Sequence, residues 1–235
     1  MSTSIQPFQN SILAALPKKE YQRLASEFEP VELAHSEILY EPDDSISHVY
    51  FLNSGMASLV SVTDEGKSIE VGIIGREGMV GFQIVLEAST INDRVLIQTQ
   101  GTAVRMRADI FKDELTRQGL LHTLLLRYTQ AQMIQIRQSV VCNRFHLVEK
   151  RLARWLLTSC DRTGLDDLPL TQDFLSLMLG ASRPDVNVAA VALQRAGLIR
   201  HTRGKVTILN REGLESVSCE CYRIIRKEFD WFLSV

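Results

Sequence analysis

The stretch LGASRPDVNVAAVALQRAGLI, residues 179–199, places a break between two helical patterns. Gly180 follows an apolar helical pattern and suits the left-handed conformation that often ends a helix. Ser182 can accept a backbone hydrogen bond at the start of the next helix, and Pro184 is tolerated in the first turn of that helix. Thr171 can begin the preceding helix in the same way. These residues predict two short helices joined by a tight turn.

The second of these helices has one apolar face and a polar start. Its expected buried residues are Val186, Ala189, Ala190 and Leu193. The following segment, LIRHTRGKVTILN (198–210), predicts a β-hairpin with its turn at residues 203–205. This order is the plan of a winged helix-turn-helix, whose second helix enters the major groove of DNA. The rival interpretation is a small helical domain with a solvated helix start that never contacts DNA.

The polar side chains of this unit are the candidates for DNA contact. They are Thr171, Gln172, Ser182, Arg183, Asp185, Asn187, Arg203 and Lys205. Arginine pairs with guanine and asparagine with adenine, so Arg183 and Asn187 are the expected readers of bases. The start of the first helix and the basic hairpin tip suit phosphate oxygens instead.

Residues 30–110 read as β-structure. The segment HVYFLNSGMASLVSVTDEGKSIEVGIIG (48–75) alternates apolar and polar residues around a turn at 63–68, where Gly66 can take a positive φ. DRVLIQTQGTAVRM (93–106) predicts another strand pair around Gly101. One shared core is expected for Phe51, Leu59, Val71 and Ile73. Short strands with glycine turns favour a β-roll, barrel or sandwich. One or two short helices are expected before this region.

Residues 110–141 predict a long helix between the two regions. Apolar residues recur at three- and four-residue steps without Pro or Gly after Gly119. One interpretation is that this helix forms a coiled-coil interface, here called the seam, between two subunits. The residues expected at that seam are Leu121, Leu124, Leu125, Tyr128, Ala131 and Ile134. The alternative is a helix packed on its own domain.

Composition narrows the class of protein. The 235 residues have an ordinary globular make-up, with 45% hydrophobic and 23% charged residues. Residues 1–141 carry 12 Lys and Arg against 17 Asp and Glu, whereas residues 142–235 carry 14 against 11, which suggests that the second part meets a polyanion. The N-terminus lacks the pattern of a signal peptide, and no apolar run reaches about 18 residues, so we expect a cytoplasmic protein without membrane contact. Catalytic motifs such as a nucleophile elbow, a phosphate loop or HExxH do not occur, which argues against an enzyme.

The whole order resembles the Crp/Fnr (cyclic-AMP receptor protein/fumarate-nitrate regulator) family of bacterial transcription regulators. VYFLNSGMASLVSVTDEGKSIEVGIIGREGMVG (49–81) resembles the β-roll of the family, and LPLTQDFLSLMLGASRPDVNVAAVALQRAGLI (168–199) resembles its helix-turn-helix. The resemblance implies an α+β fold with a β-roll sensor domain (20–112), a dimerisation helix (113–141) and a winged helix-turn-helix domain (145–235). It implies a homodimer that binds an inverted repeat in double-stranded DNA, with RNA polymerase as a further partner. Pro184 and Val188 depart from the residues of the cyclic-AMP receptor, so the preferred DNA sequence is expected to differ.

The effector is where the chain departs from the family pattern. Cyclic-nucleotide pockets of the family use a Gly-Glu pair for the ribose and an Arg-Ser pair for the phosphate. Here Phe82 stands in the Glu position, and Arg94 is followed by Val95 where Ser is expected. Arg94 is therefore only a weak candidate for effector binding, and we expect no cyclic AMP. The alternative is a cyclic-nucleotide-responsive regulator with an atypical pocket.

No cofactor or metal is expected from the sequence. An iron–sulfur switch needs a cysteine cluster, and residues 1–141 contain no cysteine. Cys142 and Cys160 stand apart from Cys219 and Cys221, and all four are expected to be free thiols. CEC (219–221) is a weak metal signal, because residues two apart on a helix point about 200° from each other. These two cysteines are therefore expected to be structural.

Overall fold

The first domain is built from two four-stranded antiparallel sheets in the computed structural model, which describes residues 10–234. The strands are β1 (Glu29–Leu33), β2 (Ile38–Tyr40), β3 (His48–Leu52), β4 (Met56–Val62), β5 (Ser68–Ile74), β6 (Met79–Val80), β7 (Arg94–Thr99) and β8 (Gly101–Arg107). One sheet has the order β1–β8–β3–β6, and the other has the order β2–β7–β4–β5. The predicted β-roll and the hairpin turn at Gly66, between β4 and β5, are confirmed.

Two details of the predicted roll are wrong. The strands on either side of Gly101 belong to opposite sheets and do not pair with each other. A Cβ at Gly101 would lie 2.2 Å from the carbonyl oxygen of Ser54, so the chain crosses between sheets at a close backbone contact that only glycine permits. Ile73 does not share the core of Phe51 and Leu59, because it faces the second domain.

Helices precede and follow the roll. They are α1 (Ser11–Ala14), α2 (Lys18–Ala25), a 3₁₀ helix (Phe82–Leu86), α3 (Ala108–Leu115) and α4 (Leu120–Phe145). The expected long helix is therefore α4, which begins after a break that follows α3. Glu20 of α2 accepts a hydrogen bond from the backbone N–H of Leu121 at 2.8 Å, and so satisfies an amide that the first turn of α4 leaves without a helical partner.

The second domain contains the predicted winged helix-turn-helix. Its elements are α5 (Val148–Thr163), β9 (Asp167–Leu168), α6 (Gln172–Leu179), α7 (Arg183–Arg195), β10 (Ile199–Thr202), β11 (Lys205–Ile208) and α8 (Arg211–Val217). The strands form a sheet of order β10–β11–β9, in which β9 was not anticipated from the sequence. Leu152, Trp155, Val186 and Leu193 are fully buried in the core of this domain.

The last helix, α9 (Glu220–Phe232), returns to the first domain. Ile225, Phe229 and Phe232 line one face of α9 and join the core of the roll. The ring of Phe232 packs against that of Tyr128 on α4 at 5.6 Å between centroids. The predicted bounds of the DNA-binding domain, residues 145–235, therefore include a helix that packs on the sensor domain. The apolar face of α9 packs against α4 there.

Candidate DNA-binding surface and sensor interior

Two capped helices form the helix-turn-helix. The hydroxyl of Thr171 accepts from the backbone N–H of Phe174 at 3.2 Å, and the hydroxyl of Ser182 accepts from that of Asp185 at 3.3 Å. Gly180 takes the left-handed conformation between them, with φ of 54°. Thr171 and Ser182 therefore cap the two helices, and Gly180 forms the turn between them, as the sequence predicts. The start of α7 lies beside the start of α6 as a result.

Two polar contacts join the starts of α6 and α7. The side-chain amide of Gln172 donates to Asn187 at 2.8 Å, and the guanidinium of Arg183 contacts the carboxylate of Asp173 at 2.6 Å. Arg183 and Asp173 are each more than 60% exposed, and exposed ion pairs contribute little to stability. These side chains can therefore exchange their present partners for DNA at low cost.

The wing lies beside the same surface. The backbone N–H of Leu170, next to Thr171, donates to the carbonyl of Gly204 at the hairpin turn at 3.0 Å. Arg203 is exposed at the tip, and the ammonium of Lys205 contacts Asp167 on β9 at 2.7 Å. Hydrogen bonds from Lys205 and Thr207 hold the pKa of Asp167 below its usual value. Wing and helix-turn-helix thus form one exposed polar surface.

Apolar side chains also contribute to this surface, and sequence reasoning missed one of them, Val191. Val188 is 68% exposed and Val191 is 37% exposed on the outer side of α7. Apolar side chains at such positions can contact the methyl group of thymine. Val188 was expected to face outward, and the spacing of three residues between Val188 and Val191 was the available signal for the second, because it puts both on one helical face.

The residues expected at a subunit seam lie inside the chain. Leu121, Leu124, Leu125, Tyr128, Ala131 and Ile134 are at most 7% exposed. All except Ile134 belong to the core cluster that the roll shares with α9. The assignment of these six to a dimer interface is corrected accordingly, because a second copy cannot contact side chains that the chain itself has already buried. The opposite face of α4 is the exposed one.

An apolar ring stands where the cyclic-nucleotide pockets of the family have a ribose-binding Glu. Phe82 is 5% exposed and packs edge-to-face on Tyr128, with centroids 5.8 Å apart. The hydroxyl of Tyr128 accepts a hydrogen bond from Gln132 at 2.6 Å, and Val95 is fully buried. Arg94 contacts the carboxylate of Glu41 at 2.8 Å near the surface. A cavity of about 520 Å³ lies in this region, lined by Phe82, Leu59 and Asp93 among others, and the ring of Phe82 offers no hydrogen bond to a ribose.

A buried carboxyl group links the two domains. Glu70 on β5 accepts hydrogen bonds from the indole N–H of Trp155 on α5 and from the hydroxyl of Ser58, both at 2.7 Å. Burial raises the pKa of Glu70 to about 7. The helix-turn-helix also meets the roll, since a Cβ at Gly180 would lie 2.4 Å from Cδ1 of Ile69. The DNA-binding domain is therefore docked on the sensor domain.

The expectation about CEC is wrong in its geometry. Cys219 is the residue before the first turn of α9, and its backbone is extended, with φ of −86° and ψ of 161°. The 200° separation of residues within a helix therefore does not apply to Cys219 and Cys221. Their sulfurs meet Cys142 and His146 at the end of α4. Cys160 is buried elsewhere, in the core of the second domain.

A β-roll, a long helix and an exposed winged helix-turn-helix together define a two-domain DNA-binding transcription regulator. Residues 150–217 match the model of the Crp-like helix-turn-helix domain, and residues 30–118 match that of the cyclic nucleotide-binding domain. The chain belongs to the Crp/Fnr family, whose members are transcription regulators and not enzymes. Among residues 10–234, no helix combines the length and the apolar character that crossing a bilayer requires.

Relatives agree with this assignment. The chain is 23% identical over 198 residues to the CRP-like cAMP-activated global transcriptional regulator of Mycobacterium tuberculosis, which covers 81% of this chain and 88% of that protein. The fold is similar to that of FixK2 from Bradyrhizobium japonicum, with a TM-score of 0.70 and 13% identity. The match covers 82% of this chain and 98% of FixK2. It is also similar to the c-di-GMP responsive global regulator CLP of Xanthomonas campestris, with a TM-score of 0.66 and 16% identity. The match covers 82% of this chain and 99% of CLP.

Proposed function

We propose that this DNA-binding regulator acts as a homodimer on an inverted-repeat operator and does so without cyclic AMP. The observation that carries the proposal is the exposed polar surface formed by the start of α7, the start of α6 and the wing. Arg183 is the expected reader of guanine, and Asn187 of adenine. Thr171, Gln172, Arg203 and Lys205 are the expected phosphate contacts, and Ser182 and Asp185 support the start of α7. RNA polymerase is a further proposed partner, on the strength of the family alone.

The dimer is proposed through the outer face of α4. Exposed residues follow one another there at alternating three- and four-residue steps: Thr123, Leu126, Gln130, Met133, Arg137, Val140 and Arg144. Leu126, Met133 and Val140 are 45%, 52% and 66% exposed, and they repeat every seven residues. A heptad stripe of this kind is what a two-stranded coiled coil buries.

A symmetric dimer determines the expected form of the operator. Two recognition helices on successive turns of one DNA face are about 34 Å apart, so the half-sites should be separated by about 10 base pairs from centre to centre. The operator should therefore be an inverted repeat. Selection of bound duplexes from a random pool by the purified protein measures this directly, and a single asymmetric site as the selected product would contradict the symmetric dimer.

Sedimentation tests the proposed interface. The double variant Leu126→Glu, Met133→Glu puts like charges into the stripe and should give monomers that lose operator binding while keeping the far-ultraviolet circular dichroism of the wild type. Leu86→Glu is the matched control, because Leu86 is 57% exposed but lies on the 3₁₀ helix. A native protein that is monomeric at micromolar concentration and still binds the operator would overturn the dimer.

Independence of cyclic AMP rests on the residues that replace the ligand contacts of the family beside the cavity at Phe82. The relative from Mycobacterium tuberculosis is named as cAMP-activated. In this chain Phe82 stands where the family has a ribose-binding carboxylate, and Glu41 already neutralises Arg94. Calorimetric titration with cyclic AMP and cyclic GMP should therefore give no saturable heat. Micromolar binding that is abolished by Arg94→Ala would establish the cyclic-nucleotide alternative.

A further inference from the structure

Four potential metal ligands meet where α4 ends and α9 begins. Cys142 lies in the last turn of α4, His146 follows the end of that helix, Cys219 precedes α9, and Cys221 lies in its first turn. One ligand atom of each lies within 4.8 Å of those of the other three. The sulfurs of Cys142 and Cys219 are 3.5 Å apart, and Nδ1 of His146 is 3.7 Å from the sulfur of Cys221.

These distances suit one tetrahedral ion. With Zn–S bonds of about 2.3 Å, the sulfurs of a tetrahedral site are about 3.8 Å apart. An iron–sulfur cluster spreads its ligand sulfurs further, because several irons and sulfides lie between them. Three thiolates and one imidazole are also a ligand set of structural zinc sites. The three cysteines are at most 4% exposed, so the site is closed to solvent on most sides.

The surroundings of the four residues also suit a metal. Nε2 of His146 is 3.3 Å from the carboxylate of Glu220, so that carboxylate can hold the imidazole with Nδ1 directed at the sulfurs. Carboxylates commonly orient metal-binding histidines in this way. Arg151 and Arg154 are each 7% exposed and close enough to Cys142 to interact with its charge. Three thiolates around a divalent ion leave one net negative charge, which these guanidinium groups offset.

We propose that Cys142, His146, Cys219 and Cys221 bind one divalent metal ion of the zinc class, which fastens the start of α9 to the joint between α4 and α5. Binding displaces the thiol protons and needs no change of oxidation state. The site lies within two residues of the start of α5, the first helix of the DNA-binding domain. Metal occupancy therefore sets the position of that domain relative to α4, and with it the affinity for DNA.

Metal content of the reduced full-length protein is the first test. We expect one zinc ion per chain after purification. Replacement by Co²⁺ should give the visible absorption of a tetrahedral thiolate site together with thiolate-to-metal charge transfer. Cys219→Ser and Cys221→Ser should lose this spectrum, whereas Cys160→Ser, the variant of the buried cysteine outside the site, should keep it. A wild-type protein that takes up no tetrahedral Co²⁺, or that holds a Cys142–Cys219 disulfide and still binds no metal after reduction, would overturn the site.

Glu220→Gln provides a test that does not remove a ligand. Substitution of a residue that orients a metal ligand typically lowers metal affinity by about 10- to 100-fold, and because Glu220 is partly exposed we expect the lower end. Glu212→Gln, on α8, is the control for loss of a carboxylate outside the site. Equal metal affinity in the Glu220 variant and the wild type would contradict the role of Glu220 in orienting His146.

The link to DNA rests on the proposed function, whereas metal binding does not. Chelation of the ion from wild-type protein should weaken operator binding by about 5- to 150-fold, the usual range of coupling between two sites, and added Zn²⁺ should restore it. Cys160→Ser should respond as the wild type does. Unchanged operator affinity after removal of the metal would overturn the link. Intact metal uptake in a protein that binds no DNA would contradict the proposed function and leave the metal site standing.

Discussion

The interior of the sensor domain and the surface of the DNA-binding domain differ in how far their side chains are exposed to solvent. Phe82 and Tyr128 pack against each other inside the roll, and Phe82 stands where the family has a ribose-binding carboxylate. At the start of α7 the chain keeps Arg183 and Asn187 exposed, on contacts that water can replace. Burial makes a contact strong and permanent, whereas exposure keeps it exchangeable. The first region therefore supports the fold, and the second is available for binding.

The largest expected effect comes from truncating the buried ring of Phe82. Phe82→Ala should lower the free energy of unfolding by about 3–5 kcal/mol, because it removes a buried aromatic side chain and leaves a cavity beside Tyr128. Urea denaturation measures the loss. Leu86→Ala on the same 3₁₀ helix is the control and should change stability by less than about 0.5 kcal/mol, since Leu86 is exposed. The variant still lacks a ribose-binding carboxylate at position 82, so it should give no heat with cyclic AMP. A gain of cyclic-AMP binding would show that Phe82 alone excludes the ligand.

A smaller effect is expected at Glu70, where the two regions meet. The pKa of Glu70 is about 7 in the folded protein, against 4.5 for an ordinary Glu. The folded state therefore holds this proton more tightly than the unfolded state. The contribution of Glu70 is fully present below pH 4.5 and is lost as the pH rises to about 7, a change of about 3 kcal/mol.

Glu70→Gln should remove this pH dependence. A glutamine keeps an oxygen for the indole N–H of Trp155 and carries no charge, so the variant should be more stable than the wild type at pH 8. Urea denaturation between pH 4.5 and 8 checks the slope. Glu65→Gln in the exposed β4–β5 turn is the control and should leave the slope unchanged. Parallel profiles for wild type and Glu70→Gln would show that Glu70 ionises as an exposed carboxyl group does.

The comparison also explains which features were predictable from the sequence. Gly180, Ser182 and Thr171 act on neighbouring residues, so the helix-turn-helix and its caps could be read directly. The inner face of α4 could not be chosen in this way, because apolar residues occur on both of its faces. That choice is made by α9, whose Phe229 and Phe232 lie about a hundred residues further along the chain.

The cysteine cluster is a second feature that depends on contacts between residues far apart in the sequence. Cys142 and Cys219 are separated by 77 positions, and only the return of α9 to α4 brings their sulfurs together. Their distance in the sequence carried no signal of contact. The short spacing of Cys219 and Cys221 is visible in the sequence, but it places the two sulfurs on opposite sides only if both residues lie within a helix. Because Cys219 is extended and lies just before α9, its sulfur can point to the same side as that of Cys221, and the two can take part in one metal site.

At the exposed surface the expected effects concern recognition instead of stability. Arg183→Ala should cost about 1–3 kcal/mol of discrimination at one position of each half-site, because it removes the expected bidentate contact with guanine. Unfolding should be unaffected within about 0.5 kcal/mol, since Arg183 is exposed. Competition binding on operator and single-base variants measures the discrimination. Arg195→Ala, at the other end of α7, should keep the ratio of specific to scrambled affinity; an unchanged ratio in Arg183→Ala would reassign the recognition helix.

The smallest effects are expected at the wing, and they should differ between its two basic residues. A phosphate contact contributes about 0.9 to the slope of log affinity against log salt, without preference for sequence. Arg203→Ala should therefore flatten the slope by about that amount on operator and scrambled DNA alike. Lys205 already contacts Asp167 at 2.7 Å, so part of its charge is neutralised before DNA arrives, and Lys205→Ala should flatten the slope less. Asp167→Asn frees Lys205 and should steepen the slope in the wild-type background. Binding titrations at several salt concentrations decide this order, and a loss of sequence preference in Arg203→Ala would show that the wing reads bases and not only phosphates.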